Sequence, residues 1–357
     1  MEPNPHLLAI HRLPEDMDGR ERFVRLDRNE RVVPFSKVEF VEMIATLRPE
    51  MFSAYPNPSP LIERLAKQLQ VPAEWIHPTN GSDAAIRKLF QTYVRPGDTV
   101  VLAEPTYAMY SIYAQMFAGR VDAVSYSADR VLHVDDMLTR LKKHPRVLAL
   151  ACPDQPTGAV LPLEVLRHLA QAASDHDTLC VIDEAYFPFH SVTAVPLTAE
   201  FDNVAITRTF SKIGGLAGLR LGYVVAQPTV LSHLERVRGA HEVNAVAIQI
   251  GCYVVDHPEI GDAYMRDIEA GRQILAAAAA ELGLGFPRCP ANFQLLELPA
   301  LDPKALVASL KDRGFLVKGG FSHRSVARCI RVTLAGPDVM ELFAASLREI
   351  CASAERV

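Results

Sequence analysis

The sequence lacks the cysteine patterns of secreted disulfide scaffolds and of zinc sites. Its six cysteines are widely separated, without CxxC spacing, and several lie in apolar runs. This distribution predicts reduced, buried thiols and no metal site. The six residues are Cys152, Cys180, Cys252, Cys289, Cys329 and Cys351.

Long apolar runs, a secretion signal and basic clusters are also missing. The start of the chain has no charged-then-apolar pattern, and no apolar stretch approaches the roughly 20 residues of a membrane helix. The 37 basic and 42 acidic residues are interspersed, with a net charge of -5. The chain therefore has no basic patch that would bind nucleic acid. We therefore predict a cytoplasmic protein that binds neither membranes nor nucleic acid.

The remaining composition is that of an ordinary globular protein. Hydrophobic residues make up 49% and charged residues 22% of the chain, and there is no internal repeat or low-complexity segment. A chain of 357 residues exceeds the size at which one hydrophobic core usually stops growing. The sequence therefore predicts two unequal lobes.

Short β-rich runs alternate with amphipathic helical patterns through the middle of the chain. Such alternation indicates crossover units and a mostly parallel sheet, here in a three-layer α/β/α arrangement. One of the helical patterns spans Leu163 to Ala173. The β-rich runs are Thr99 to Ala103, Val121 to Tyr126, Val147 to Ala151, Leu179 to Ile182, Val204 to Thr207 and Leu221 to Val225.

The pattern changes near His257, where a long helix from Ile260 to Leu282 begins a region of mixed strands and helices. This change predicts a smaller α+β domain. We expect an N-terminal arm over residues 1–40 that packs on the small domain, a large domain over 41–255 and the small domain over 256–357.

A single lysine, Lys212, stands in a hydroxyl-rich turn between an apolar strand and a glycine-rich loop. An imine-forming lysine needs a short, fixed turn beside groups that hold an anionic cofactor. Thr209, Ser211 and Arg220 are residue types that bind phosphate, and arginine can do so through two parallel hydrogen bonds. The alternative is a solvated surface lysine beside flexible glycines, but the surrounding residues favour the cofactor site.

Acidic and aromatic residues end the preceding strand, in Asp183-Glu184-Ala185-Tyr186. A carboxylate at the C-terminal end of a parallel strand faces the crevice where α/β proteins bind ligands. In a pyridoxal-phosphate (PLP) enzyme, Asp183 would keep the pyridine nitrogen protonated and Tyr186 would reach the ring hydroxyl. An Asp–Glu pair that caps the next loop explains the segment equally well.

Three further segments are weaker signals for the same site. Gly81, Ser82 and Asp83 precede a helical pattern, where free amides favour a phosphate, although most such sequences only cap helices. Tyr107 follows a strand and can stack on a flat cofactor. Gln155 lies in a rigid turn with two prolines and a glycine. The segments around Tyr107 and Gln155 can also be ordinary turns without a role in binding.

From about Leu26 to the C-terminus, these segments in this order resemble fold-type I PLP-dependent aminotransferases, and especially the histidinol-phosphate aminotransferase-like group. The run Ser-Lys-x-x-Gly-Leu-Ala-Gly-Leu-Arg that ends at Arg220, with Asp-Glu-Ala-Tyr upstream, is specific in combination. The resemblance implies the Schiff-base lysine Lys212, the pyridinium partner Asp183 and the O3′ partner Tyr186. It also implies Tyr107 as stacking ring and a phosphate cup of Ser82, Asp83, Thr209, Ser211 and Arg220.

The resemblance extends to a partner chain and to the substrate. Tyr55 matches the tyrosine that reaches the phosphate from the neighbouring subunit, which implies a homodimer. Arg331 matches the arginine that binds the substrate α-carboxylate, and Asn292 lies in the Ala-Asn-Phe element of the group. A charge on an apolar strand needs a partner, which a substrate carboxylate would supply. A structural salt bridge is the alternative for Arg331.

The sequence departs from the family pattern where substrate specificity is set. Gln155 replaces the asparagine of the usual Asn-Pro-Thr-Gly turn, and His241 and Glu242 replace an element that usually carries Pro-Tyr. The resemblance therefore implies a more polar substrate pocket than that of histidinol-phosphate aminotransferases.

The expected reaction is transfer of an amino group between an amino acid and a 2-oxo acid or related carbonyl compound. Two alternatives stay open on the sequence. A PLP-dependent decarboxylase or lyase of a phosphorylated amino acid would share the cofactor residues. A ligand-sensing regulator on the same fold would need an attached DNA-binding module, for which we expect no room.

Overall fold

The structure is a computed structural model that describes residues 1, 3–10 and 19–354. Residues 2 and 11–18 of the predicted arm, and residues 355–357 of the predicted small domain, lie outside the described residues. The boundaries of the three predicted parts remain a prediction.

The described strands and helices follow in chain order. The strands are β1 (Val24–Arg25), β2 (Ile76–Thr79), β3 (Thr99–Glu104), β4 (Arg120–Ser125), β5 (Val147–Ala151), β6 (Leu179–Asp183), β7 (Val204–Thr209), β8 (Gly222–Ala226), β9 (Phe293–Glu297), β10 (Phe315–Leu316) and β11 (Cys329–Thr333). The helices are α1 (Lys37–Ala45), α2 (Ser59–Leu69), α3 (Gly81–Tyr93), α4 (Met109–Met116), α5 (Val134–Leu141), α6 (Leu163–Asp175), α7 (Leu197–Glu200), α8 (Pro228–Leu234), α9 (Ala245–Asp256), α10 (Pro258–Glu281), α11 (Pro303–Asp312) and α12 (Pro337–Ala354).

Seven strands form the main sheet of the described chain, in the order β2-β8-β7-β6-β5-β3-β4. The pairs β3–β4, β3–β5, β5–β6 and β6–β7 are parallel, whereas β8 runs antiparallel to both of its neighbours. The predicted mostly parallel sheet is confirmed. All six β-rich runs of the sequence are strands of this sheet, with ends that differ by one or two residues.

Both faces of this sheet are covered by helices, so its central strands are apolar on both sides. In β5, Leu148 and Leu150 pack with residues of α2, α5, α6 and α9. The alternate residues, Val147 and Ala149, pack with residues of α3, α4 and α8 on the other face. Side chains of a strand alternate between faces, which gives the chain two buried layers from one strand. The predicted three-layer α/β/α arrangement is confirmed.

A second hydrophobic core lies outside the main sheet. It is built from α10, α11 and α12 packed on β9–β11, an antiparallel pair, and on β1–β10, a parallel pair. Leu26, which follows β1, is completely buried in this core. The N-terminal segment thus contributes a strand and a core residue to the structure formed by roughly the last hundred residues of the chain. That length is enough for one small domain.

Strand β2 has no counterpart in the sequence-based prediction. All four of its residues are buried, and it pairs antiparallel with β8. Pro78 lies within it, and proline removes a ladder donor, so the run does not have the appearance of a strand. Its position at the edge of the sheet tolerates that proline, because one side of β2 has no neighbouring strand.

The predicted burial of the cysteines is confirmed, because all six are buried. Within residues 19–354 and the short described N-terminal stretch, no helix combines the length and the apolarity that crossing a bilayer requires.

We predict opposite effects for alanine at two glycines of α10. A Cβ atom at Gly271 would overlap the carbonyl oxygen of Ala335, so Gly271→Ala should lower the free energy of unfolding by about 1–3 kcal/mol. At Gly261 the nearest atom is Ile213 Cγ1 at 3.4 Å, so Gly261→Ala should be neutral or gain up to about 1 kcal/mol from helix propensity. Urea unfolding measures both, and equal effects would contradict the packing of α10 described above.

Candidate active site

A cavity opens at the carboxyl ends of the central parallel strands, where α/β sheets bind ligands. Its wall is formed by the start of α3 and by the segments that follow β3, β5, β6 and β7. The structure brings together there nearly all residues that the sequence predicts for the cofactor. The predicted residues in the wall are Ser82, Asp83, Tyr107, Gln155, Asp183, Tyr186, Thr209, Ser211, Lys212 and Arg220.

The Lys212 amine is buried at one side of this cavity. Its Nζ donates hydrogen bonds to the carbonyl oxygens of Asn29 (2.8 Å) and Arg28 (3.1 Å). Burial lowers the pKa of Lys212 to about 7, and the positive charge of Arg331 acts in the same direction. The amine is therefore neutral in a substantial fraction of molecules near neutral pH, which a nucleophile or proton carrier requires.

The Asp183 carboxylate ends β6 and faces the same cavity. Its Oδ2 accepts a hydrogen bond from the Tyr110 hydroxyl (2.8 Å), and its Oδ1 accepts one from the Thr207 hydroxyl (2.9 Å). Burial raises the pKa of Asp183 to about 6, and the hydrogen bonds oppose that rise. Asp183 is thus an anion at neutral pH, held in one orientation by two donors.

Tyr186 and Gln155 meet beside Asn29. The Tyr186 hydroxyl donates to Gln155 Oε1 (2.9 Å) and accepts from Asn29 Nδ2 (2.8 Å). Burial raises the pKa of Tyr186 to about 12, so its hydroxyl stays protonated at neutral pH. Gln155, whose side chain is longer than that of the asparagine usual in the family, therefore contacts Tyr186. The sequence predicts that both residues lie at the cofactor.

A group of donors also lines the cavity. Thr209 Oγ1 donates to Ser211 Oγ (2.9 Å), and Arg220 Nη1 donates to the same oxygen (3.3 Å). Gly81 does not line the cavity, but it has a φ of +79°, and a Cβ there would lie 2.8 Å from Arg220 Nη2. Glycine thus lets the guanidinium approach the first turn of α3, beside Ser82. Hydroxyls, a guanidinium and helix-start amides together suit a phosphate.

Arg331 and Asn292 do not line this cavity; Arg331 lies on β11 and Asn292 directly precedes β9. Arg331, on β11, donates from Nη2 to the Asp27 carbonyl oxygen (2.6 Å), and its Nε has no hydrogen-bond partner among the described residues. Burial lowers the pKa of Arg331. Asn292 Nδ2 donates to the Asn29 carbonyl oxygen (3.0 Å), while its Oδ1 has no partner in the described chain. The described residues include no ion pair of Arg331, as a structural salt bridge would require.

Tyr55, His241 and Glu242 do not line the cavity within one chain. Tyr55 is exposed and stacks on His241, with ring centroids 4.2 Å apart and planes inclined by 16°. Glu242 forms an ion pair with Lys88, and its Oε1 has no partner in the described residues. Their predicted roles at the cofactor and the substrate therefore stay predictions, which need a second chain.

Three residues of the site were not predicted as such. Asn29 lies 183 residues before Lys212 and contacts both the lysine and Tyr186, but no local pattern marks it. Tyr110 and Thr207 both contact Asp183. Tyr110 lies three residues after the predicted Tyr107 and packs edge-on against its ring, but Tyr107 precedes α4, so no helical spacing marks Tyr110.

Comparisons with known proteins agree with this geometry. The family described as "Aminotransferase class I and II" matches residues 41–345. Histidinol-phosphate aminotransferase 1 of Burkholderia lata is 33% identical over 332 residues, which cover 91% of this chain and 92% of that protein. The structure of histidinol-phosphate aminotransferase from Sinorhizobium meliloti in complex with pyridoxal-5'-phosphate superposes with a TM-score of 0.88 at 24% identity, over 98% of this chain and 97% of that one.

L-threonine-O-3-phosphate decarboxylase from Porphyromonas gingivalis has the same fold. Its structure superposes with a TM-score of 0.75 at 21% identity and covers 92% of this chain and 99% of that one. The same scaffold therefore carries a different reaction in that protein.

We predict a pH-dependent stability contribution from Lys212 in protein free of bound small molecules. Its folded-state pKa of about 7 lies below the unfolded value, so between about pH 7 and 10 the unfolded chain binds one more proton and raising the pH stabilises the fold. The unfolding free energy of the parent should therefore rise relative to that of Lys212→Met, by about 1 kcal/mol per pH unit between about pH 7.5 and 9.5. Urea unfolding across that range measures it, and a flat difference would show that the amine keeps its proton.

Proposed function

The chain belongs to the class I and II aminotransferase family, whose members depend on pyridoxal phosphate, and from that membership we propose how its site works. It is a PLP-dependent aminotransferase of the histidinol-phosphate aminotransferase-like group. It moves an amino group between an amino acid and a 2-oxo acid or related carbonyl compound. The observation that supports this reaction is a lysine whose pKa is lowered to about 7, in one cavity with an ionised aspartate and with residue types that bind phosphate.

The residues of the cavity fit the cofactor from one end to the other. Ser82, Ser211 and Arg220, with the amides at the start of α3, would hold its phosphate. Asp183 would face the ring nitrogen. When bound through Lys212, the cofactor supplies an electron sink for the bond that breaks at the substrate Cα atom.

The residues of the chain divide the remaining work. The Arg331 guanidinium would take the substrate α-carboxylate, which would give its unpaired Nε a partner. Lys212, once displaced by the substrate amine, would carry the proton removed from Cα. Its lowered pKa suits this role, because an amine that is partly neutral at the working pH can accept a proton and return it.

We propose a substrate pocket more polar than that of histidinol-phosphate aminotransferases. Gln155 engages Tyr186 directly, so the ring hydroxyl of the cofactor would be met by an altered pair. His241 and Glu242 would add polar groups from the partner chain. Glu242 Oε1 lacks a hydrogen-bond partner among the described residues and is free to accept one.

We propose that the protein is a homodimer in which each site takes Tyr55 from the partner chain. Tyr55 is exposed, although aromatic side chains bury a large apolar area when they have a partner. Six large apolar side chains that precede it in the chain are exposed as well, more than an isolated subunit would be expected to leave uncovered in one short segment. They are Val33, Val38, Phe40, Val41, Ile44 and Phe52.

A cytoplasmic location and the division into an arm, a large and a small domain belong to the same proposal. The burial of all six widely separated cysteines supports the first. The separate hydrophobic core around α10 and β11 supports the second.

The first test replaces the lysine. Lys212→Ala should abolish the adduct that borohydride traps and lower turnover by more than about 100-fold, because it removes both the imine and the proton carrier. Lys142→Ala, at an exposed lysine, should keep both and serves as the control. Mass spectrometry of the reduced protein and a panel of amino donors and keto acids give the readouts. A trapped adduct in Lys212→Ala would overturn the assignment.

The same panel distinguishes the rival reaction. An aminotransferase given an amino acid alone should convert its cofactor from the aldehyde to the amine form, which changes the absorption spectrum. Release of carbon dioxide from a phosphorylated amino acid, with the aldehyde form retained, would instead assign a decarboxylase.

The dimer is tested with mixed subunits. We expect Tyr55→Ala and Lys212→Ala homodimers to be weakly active and inactive, respectively. A mixed dimer should regain activity, because one of its two sites combines Lys212 of the first chain with Tyr55 of the second. Co-expression with two affinity tags isolates the mixed dimer for a rate assay. If the mixed dimer is no more active than the Tyr55→Ala homodimer, Tyr55 does not act across the interface.

A further inference from the structure

Four hydroxyl side chains at the start of α4 hydrogen-bond to three aspartates around the cavity. Tyr110 and Tyr113 are three residues apart in α4 and lie on one face of it, and Thr106 and Tyr107 lie in the turn before that helix. One short segment therefore holds three buried or half-buried carboxylates. The bonds run from Thr106 to Asp154 (2.7 Å), from Tyr107 and Tyr113 to Asp83 (3.2 and 2.7 Å) and from Tyr110 to Asp183 (2.8 Å).

Tyr110 differs from the other three because its acceptor faces the cofactor ring in the proposed function. Its side chain is completely buried, between the main sheet and α3. Burial and the neighbouring Asp183 raise the pKa of Tyr110 well above its ordinary value, so its hydroxyl is always a donor. Tyr107 packs edge-on against the Tyr110 ring, with centroids 5.7 Å apart, which fixes that ring in place.

The Asp183 carboxylate has room for three donors. Thr207 occupies one oxygen and Tyr110 the other, and a carboxylate accepts more than one hydrogen bond per oxygen. The two hydroxyls therefore fix the carboxylate plane and leave lone pairs for a further donor. They also stabilise the anion against the burial that disfavours it.

We propose that Tyr110 is a positioning residue of the cofactor site, whose buried hydroxyl orients the Asp183 carboxylate and keeps it ionised toward the ring nitrogen. The inference rests on the proposed function. Without this hydroxyl, Asp183 would keep only the Thr207 hydroxyl and the Ala185 backbone amide as donors in a buried site, and its proton affinity would rise. The proton shared with the ring nitrogen would then move toward the carboxylate, and the ring would become a weaker electron sink.

The test is Tyr110→Phe, which keeps the aromatic ring and removes only the hydroxyl. The holoprotein is prepared with PLP labelled with ¹⁵N at the ring nitrogen. In the parent, the ¹⁵N resonance should be that of a protonated pyridine between about pH 6 and 8. In Tyr110→Phe it should move toward the unprotonated position. We expect kcat to fall about tenfold, as for a change of one pKa unit, while KM for the amino donor changes less.

Tyr126→Phe is the matched control. Tyr126 is also buried, and its hydroxyl donates to a buried aspartate, Asp154, at the same distance of 2.8 Å. The two variants should lose similar stability in thermal unfolding. Only Tyr110→Phe should move the ¹⁵N resonance. An unchanged resonance in Tyr110→Phe, or an equal shift in both variants, would reduce Tyr110 to a packing residue.

A second probe runs in the opposite direction. With 3-fluorotyrosine in place of Tyr110, the hydroxyl is a stronger donor in an almost unchanged volume. The ¹⁵N resonance should then stay protonated to a higher pH than in the parent, and a shift to lower pH would contradict the inference. Failure of the proposed function would look different, because the parent itself would form no borohydride-trapped adduct at Lys212.

Discussion

The contact between the Lys212 amine and the segment Arg28–Asn29 is the interaction on which the site depends. It joins the turn after β7 to the segment that follows β1. The Asn29 carbonyl oxygen also accepts from Asn292, and the Asn29 side chain donates to Tyr186. One residue thus links Lys212, Tyr186 and Asn292, so any shift of the N-terminal segment would reach all three.

Burial gives the charged groups of the cavity their chemistry. Lys212 and Asp183 both lose water, and burial shifts both pKa values toward the neutral form, to about 7 and about 6. The values remain useful because each group keeps hydrogen bonds: the amine to two carbonyl oxygens, the carboxylate to two hydroxyls. A buried lysine without acceptors would lose more of its proton affinity, and a buried aspartate without donors would not stay ionised.

The sequence predicts which residues meet in the cavity because its signals are local. Lys212, Asp183, Ser82 and Gln155 each follow a strand or begin a helix, and the carboxyl ends of parallel strands meet at one edge of a sheet. A strand with its following turn is readable from about ten neighbouring residues. Strand β2 was not predicted because its four residues include a proline and are too few to show a strand pattern.

Local sequence patterns do not predict the surroundings of Asn29, His241 and Glu242. Asn29 reaches the cavity because a two-residue strand pairs with Phe315–Leu316, a contact between segments almost three hundred residues apart that no local periodicity encodes. His241 and Glu242 lie beside the exposed Tyr55, away from the cavity of their own chain. Residues whose neighbours are set by tertiary packing are therefore the ones that local sequence patterns do not place. The residues that line the cavity, in contrast, mostly follow strands of one sheet.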